Sequence, residues 1–265
     1  MRLHDYLRRI GVEDGLPATA DTLRRLHVAH REAFLFENIS IQAGGVISVE
    51  LDAIERKFID EGRGGYCFEQ NTLFAAVLRD LGFAPVALLG RVRRGPPERW
   101  ARTHMVLRVP VDGHDWLADV GFGGLGLLEP ILLREGPVSE QAGLAYALRR
   151  EPGLWVLSTR DPSQTQDLYE FSEDPQTAGD VEVANHFTST HPDSVFRRTL
   201  TIQRSSRDGR LILRGDTLTR YKDGQAIDEP IAREQLRDVA RELFGVELPE
   251  GPLISDTVRK HEPQM

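Results

Sequence analysis

Cysteine occurs once in this 265-residue chain, at position 67. A single thiol excludes an internal disulfide and fits a reducing compartment. It also removes the material for a cysteine-rich zinc site, and no metal is expected. Positive charge is in deficit: 33 lysines and arginines against 41 acidic residues give a net charge of −8. That balance argues against nucleic acid or an anionic membrane as the main partner. The arginines are scattered, as in Arg91, Arg93, Arg94 and in Arg197, Arg198, without a long basic run. A local phosphate site for an anionic small molecule stays open. No apolar run approaches a membrane span, and Met1-Arg2-Leu3-His4-Asp5-Tyr6 lacks the apolar core of a signal peptide. The chain reads as cytoplasmic, without internal repeats or low-complexity segments.

What is present starts with the placement of that one cysteine. Arg63-Gly64-Gly65-Tyr66-Cys67-Phe68-Glu69-Gln70-Asn71 is a glycine-rich turn running into a helical pattern. Phe74, Val77, Leu78 and Leu81 repeat at helical spacing and Gly82 stands at a stop, so an amphipathic helix is expected from about 67 to 81. A thiol at a helix N-terminus meets unpaired N–H groups and the positive end of the macrodipole, a setting that favours the reactive thiolate. The alternative is a buried cysteine acting as a small hydrophobe. That reading has no use for Arg-Gly-Gly immediately upstream.

Along the chain, residues 1 to about 82 read as helical: Leu3, Tyr6, Leu7 and Ile10 end at Gly11, and Leu23, Leu26, His30 and Phe34 share a stripe. From about 83 to 185 the period changes to two, with strands expected at Pro85–Val92, His104–Val109, Trp116–Val120 and Leu154–Ser158. Further strands are expected near 198–203, 211–214 and 218–221, with turns at Arg207-Asp208-Gly209 and Asp223-Gly224. A helix carrying Leu236, Val239, Ala240, Leu243 and Phe244 precedes Gly245, and the tail from Pro249 is expected to fray. Helical block, β block and mixed block in that order suggest an α+β fold.

A nucleophilic thiol needs a base, and a third group to orient it. Of the eight histidines, His4 and His261 lie near the termini, His27 and His30 sit on an apolar helical stripe, and His114 adjoins a turn. His186 and His191 are weaker candidates at a loop entry. His104 is better placed, because a two-residue loop at Asp112-Gly113 makes opposed residues sum to 225. Residue 106 then faces 119, and His104 and Asp119 become diagonal neighbours on one face. A three-residue loop would put them on opposite faces. Asp119 interrupts an apolar strand, where a carboxylate is costly to bury unpaired. It can be a strand-end turn residue, or it can hold an imidazole. Gly121-Phe122-Gly123-Gly124 follows, offering bare backbone to a ligand without a dinucleotide fingerprint or a P-loop.

These residues resemble the arylamine N-acetyltransferase family in its bacterial form. The resemblance rests on Phe36-Glu37-Asn38, Arg63-Gly64-Gly65-Tyr66-Cys67-Phe68-Glu69, Asp119-Val120-Gly121-Phe122-Gly123 and Ser189-Thr190-His191-Pro192 with Ser194 and Phe196, with Thr103-His104 in between. It implies a helical bundle over 1–82 carrying the cysteine, a β-barrel over 83–185 carrying histidine and aspartate, and an α/β lid over 186–265. It implies Cys67 as acyl acceptor, His104 as base and Asp119 as orienter, in a site like that of thiol proteases. It places Phe36 and Phe122 along the acyl and amine pocket, and Thr103, Gly121, Gly123 and Gly124 near the pantetheine of coenzyme A. Acetyl-CoA is the implied donor and an arylamine or arylhydrazine the acceptor, in a monomer or homodimer acting on xenobiotics. Leu35 and His186-Phe187 depart from the family's frequent proline and Trp-Tyr, which bears on local packing and substrate preference.

Rival readings keep the same three residue types. A related amide synthase would release a carrier-bound polyketide; a thiol hydrolase or transglutaminase-like enzyme would use a peptide or glutamine amide. A non-enzymatic binding module would carry the three residues without using them.

Overall fold

The computed structural model describes residues 1–136, 138–160 and 165–259. His261 lies outside them. Helices Leu3–Ile10, Ala20–Ala33, Ile39–Gln42, Leu51–Glu55 and Cys67–Asp80 make up most of the first 82 residues. The first ends where expected, on Gly11 in the left-handed region (φ 71°). Thr19 caps the second through its side-chain oxygen, which accepts from the Thr22 N–H. The helix Cys67–Asp80 stops one residue before the expected end. It is also less amphipathic than expected. Cys67 to Asn71 are all buried, polar residues included, because this end is enclosed between the other helices and the strand Arg102–Val111.

Phe36–Glu37 was expected in the helical block and is instead a short strand. It pairs antiparallel with Thr201–Ser206, with Phe36 opposite Gln203. Two residues carry no period of their own; the distant partner makes them a strand. They form the edge of a five-stranded antiparallel sheet that continues through Thr201–Ser206, Gly209–Arg214, Thr217–Lys222 and Gln225–Pro230.

The central strands form an eight-stranded sheet curled into a nearly closed barrel. Its order is Ile131–Leu132, His114–Ala118, Arg102–Val111, Val86–Val92, Thr165–Phe171, Leu154–Arg160, Leu144–Glu151, Ser139–Gln141. Gln141 on one edge clips the other: its Oε1 accepts from the Leu128 and Glu129 N–H groups at 2.8 and 2.9 Å. Its Nε2 donates to the Glu129 carbonyl at 3.1 Å. Leu88, Val106, Leu117, Leu157, Tyr169 and Phe171 fill the interior.

The hairpin carrying the expected base and orienter has the expected register. Val111 faces His114 and Leu107 faces Ala118, and Asp112 and Gly113 both have positive φ, 52° and 72°. Both signs belong to the type I′ loop, whose twist matches that of the strands it joins. The strand ends at Ala118 rather than Val120, because the backbone of Asp119 and Val120 bonds to side chains of the helical layer.

The helix Ala178–Thr190 runs across the expected division at 185/186 and packs Val181 and Ala184 against the helical core. The expected closing helix forms as Leu236–Val239 followed by a wider turn over Ala240–Phe244. Residues 250–259 do not fray as expected, and the rest of the tail lies outside the described residues. Leu253 and Ser255 are buried, and the Ser255 N–H donates to Gln42 Oε1 at 3.0 Å. Among the described residues, no helix is long and apolar enough to cross a membrane, and no cluster of acidic, histidine and cysteine side chains suits a metal.

Candidate functional site

The turn before Cys67 is built by close backbone approach. A Cβ on Gly64 would stand 1.9 Å from the Leu35 carbonyl oxygen, so no other residue fits there without moving the chain. That carbonyl accepts from the Gly65 N–H at 3.2 Å and from Gln70 Nε2 at 3.1 Å. The departure at Leu35 therefore leaves intact the group the turn uses, which is a carbonyl. Gln70 is held by His30, whose Nε2–H donates to Gln70 Oε1 at 3.0 Å, while Tyr6 Oη donates to His30 Nδ1 at 2.7 Å. Glu69 caps the helix, its Oε2 accepting from the Tyr66 N–H at 3.1 Å. Its other oxygen meets Lys57 Nζ at 2.7 Å, and Arg63 pairs with Glu37 at 2.7 Å. Cys67 thus opens a helix whose first turn is fixed from below.

His104, on the strand Arg102–Val111, faces that end. Its Nε2–H donates to Asp119 Oδ2 at 2.8 Å, and the ring and the Cys67 sulfur line the same cavity. The thiol also points at the Thr103 carbonyl, 3.7 Å away. Burial opposes charging of both partners, and each overcomes it through the other. The imidazolium is held well above its ordinary range by the charge and hydrogen bond of Asp119, with a further contribution from Cys67. The carboxylate is held below its ordinary range by His104, the Gly121 N–H and Asn71. A cation then stands on the wall of the cavity that also holds the sulfur.

Asp119 is positioned from the helical layer. Asn71, one turn beyond Cys67, donates to Asp119 Oδ1 at 3.1 Å and to the Met105 carbonyl at 2.7 Å. Its Oδ1 accepts from the Val120 N–H at 3.2 Å. The Asp119 N–H donates to His27 Nε2 at 3.1 Å, and His27 Nδ1–H donates to the Leu128 carbonyl at 2.8 Å. Arg31 is buried with no carboxylate partner among the described residues; it donates to the carbonyls of Val120 and Gly123 at 3.1 and 2.7 Å and to Ser205 Oγ at 2.9 Å. The ring of Tyr169 lies 4.8 Å from that of His104.

A cavity of about 660 Å³ opens onto the sulfur, lined by Phe36, Thr103, His104, Gly121, Phe122 and Gly124 among others. Gly123 does not line it; it sits in the loop at φ 90°, where a Cβ would meet Gln203 Oε1 at 2.7 Å. Gly121 is pressed against the helix, leaving only 2.6 Å between a Cβ there and the Cys67 Cα. The other histidines lie elsewhere. His4 pairs with Asp14 on the surface, His114 and His186 are exposed, and His191 stacks on Phe187 at 4.5 Å.

Buried thiol, charged imidazole and carboxylate in this chain order, reached from one cavity, invite comparison with known proteins. The N-acetyltransferase family model matches residues 19–253. The arylamine N-acetyltransferase / N-hydroxyarylamine O-acetyltransferase of Salmonella typhimurium is 37% identical over 230 residues, 86% of this chain and 82% of that protein. The chain belongs to the arylamine N-acetyltransferase family. The Escherichia coli arylamine N-acetyltransferase is likewise 37% identical, over 92% of this chain and 88% of its own. Among solved arylamine N-acetyltransferases, that of M. smegmatis superposes with a TM-score of 0.90 at 34% identity, covering 100% of both chains. That of Mycobacterium marinum in complex with CoA superposes at 0.87 and 34% identity, covering 92% of each.

Sequence reasoning missed the residues that position the site. His27 and His30 read as packing on an apolar stripe, and both are fully buried hydrogen-bond relays. Asn71 had a usable signal: four residues after Cys67 it shares that residue's helical face. Arg31 and Tyr169 had none, since their partners lie far away in sequence.

Proposed function

We propose that this arylamine N-acetyltransferase carries acetyl from acetyl-CoA to arylamines and arylhydrazines through an acetyl-Cys67 intermediate. The single observation supporting this reading is the His104 ring, bonded to Asp119 at 2.8 Å on the wall of the same cavity that exposes Cys67. In the first half-reaction the Cys67 sulfur, its proton held on His104, attacks the thioester carbonyl. The tetrahedral oxyanion meets backbone N–H groups at the start of the helix Cys67–Asp80. Collapse breaks the carbon–sulfur bond to coenzyme A, and His104 returns the proton to the departing thiolate.

In the second half-reaction an amine attacks acetyl-Cys67. His104 takes the amine proton and passes it to the Cys67 sulfur as the amide leaves. Asp119 fixes the ring and stabilises its cation throughout. Phe36 and Phe122 supply apolar walls for the acyl group and the aromatic amine, and Thr103 with Gly121 and Gly124 supplies the narrow approach for the pantetheine arm. Gly123 shapes that loop from outside the cavity.

Intact mass after mixing with acetyl-CoA tests the reading. One acetyl adduct is expected on the wild type and none on Cys67→Ala. An arylamine should discharge the adduct with release of its N-acetyl product. A Cys67 that alkylates normally yet takes no acetyl from acetyl-CoA would refute this donor and favour a carrier-bound or longer acyl group.

A further inference from the structure

Two arginines are buried behind the glycine loop, and neither pairs with a carboxylate among the described residues. Arg31 and Arg210 are 3% and 4% exposed. Arg31 donates to the carbonyls of Val120 and Gly123 and to Ser205 Oγ. Arg210 donates to the Ala142 carbonyl at 3.2 Å and to Tyr146 Oη at 3.0 Å. The Tyr146 hydroxyl is in turn shared between the carbonyls of Leu125 and Gly126 at 2.9 and 3.0 Å. The two arginines meet on one turn: the Gly126 N–H donates at 2.9 Å to the Gly123 carbonyl, the same oxygen that Arg31 holds.

Carbonyl oxygens ask only for N–H donors, and neutral side chains supply those without the cost of burying a charge. What the charge adds is visible at Val120. Its carbonyl accepts from Arg31, and the N–H of the same peptide unit, that of Gly121, donates to Asp119 Oδ1 at 2.9 Å. A cation on the oxygen polarises the peptide and strengthens the bond made by its N–H. That peptide also lies against the nucleophile, since a Cβ on Gly121 would stand 2.6 Å from the Cys67 Cα. Burial and the neighbouring Arg210 lower the Arg31 guanidinium to about 10 and Asp119 opposes them, so Arg31 stays charged through the neutral range. The other ionisable groups packed here, His104 apart, are neutral or matched. Burial holds Tyr66, Tyr146 and Tyr169 protonated and His27 and His30 uncharged. Glu69 is matched by Lys57 and Glu37 by Arg63. Of the charged groups lining the cavity, Arg93, Asp167 and Asp193 are ion-paired, and Arg94, Arg99 and Arg214 are exposed to screening solvent.

We propose that Arg31, backed by Arg210, is a positioning residue of the acyl-transfer site, its buried charge acting through the Val120–Gly121 peptide to favour the anionic forms of Asp119 and Cys67. The helical layer then supplies a standing positive charge as well as the nucleophile. A fixed cation favours every anion near it, so its removal raises the pH at which the sulfur ionises. The inference rests on the acyl-transfer reading for its purpose only, because ionisation of the sulfur needs no acyl donor.

Cys67 is the sole thiol, so the pH dependence of alkylation by iodoacetamide reads this sulfur alone. The midpoint should rise by about half a pH unit or more in Arg31→Met, which removes the charge. It should stay near wild type in Arg31→Lys, which keeps the charge and loses the fork of donors. Arg210→Met leaves the bonds of Arg31 in place and should move the midpoint the same way by less. A midpoint unchanged in both methionine variants, or moved equally by Arg31→Lys and Arg31→Met, overturns the inference. Should circular dichroism show that Arg31→Met does not fold, Arg210→Met decides alone: an upward shift supports the inference and an unchanged midpoint overturns it. Midpoints that shift as expected, in a wild-type background that takes no acetyl from acetyl-CoA, would refute the acyl-transfer reading and leave the role of the charge standing.

Discussion

Acid should unfold this enzyme early, and the cause lies in two histidines outside the reacting group. His27 and His30 are both fully buried and neutral. Burial pushes His27 down to about 4 and His30 down to about 3. Arg31 adds to the depression of both, and Asp119 opposes it only at His27. An unfolded histidine takes its proton near 6.5. Below that pH the unfolded chain binds protons that the folded chain refuses, so stability falls as pH falls, until about 4 for His27 and about 3 for His30. At pH 5 each histidine has cost about 2 kcal/mol, roughly 4 together, against a typical total of about 5–15 kcal/mol. Neither partner of the His104–Asp119 pair masks this window. The raised imidazolium contributes stability that is fully present below 6.5 and declines as pH rises from there through its folded value. The lowered carboxylate contributes until pH falls below its ordinary 3.8. Urea midpoints at pH 7.5, 6 and 5 measure the slope, expected near two protons at pH 5 and near one in His30→Gln. A loss below about 1 kcal/mol between pH 7 and 5 would refute the reasoning. Activity should fail alongside, since a protonated His27 can no longer accept the Asp119 N–H.

Asp119→Asn should preserve the fold and lower acetyl transfer by about 10³–10⁴-fold, because the ring loses both its orientation and its counter-charge; single-turnover acetylation measures this, and a loss under about tenfold would remove Asp119 from the mechanism. Gly121→Ala forces a methyl to within 2.6 Å of both the Cys67 Cα and Asn71 Nδ2, so the first half-reaction should slow by about 10²-fold through misplacement of the sulfur. Near-normal acetylation there would mean that the loop yields without moving the cysteine.

The legible parts of this molecule are those whose cost or period is local. Asp112-Gly113 sets its own turn type, and the turn sets the register, so the neighbourhood of His104 and Asp119 followed from two residues and a count. Gly64-Gly65 before a cysteine and an aspartate inside an apolar strand are each expensive where they stand, and each led to the site. Leu253 and Ser255 were misjudged because a docked tail and a loose one share composition until the surface that receives them is known.

Residues satisfied only at long range look ordinary in sequence. His27 sits on an apolar stripe where a leucine would serve, yet it accepts from a backbone N–H 92 positions away. Arg31, on the helix Ala20–Ala33, is buried, with three oxygens from the barrel loop and the five-stranded sheet around its guanidinium. The helical layer thus presents the thiol and also braces the loop carrying the carboxylate. A barrel hairpin can place His104 beside Asp119 through its own register. It cannot fix both against a sulfur on another layer to within a hydrogen bond. That alignment is imposed by Asn71, His27 and Arg31, three polar side chains whose burial is sustained by the bonds they make across the junction.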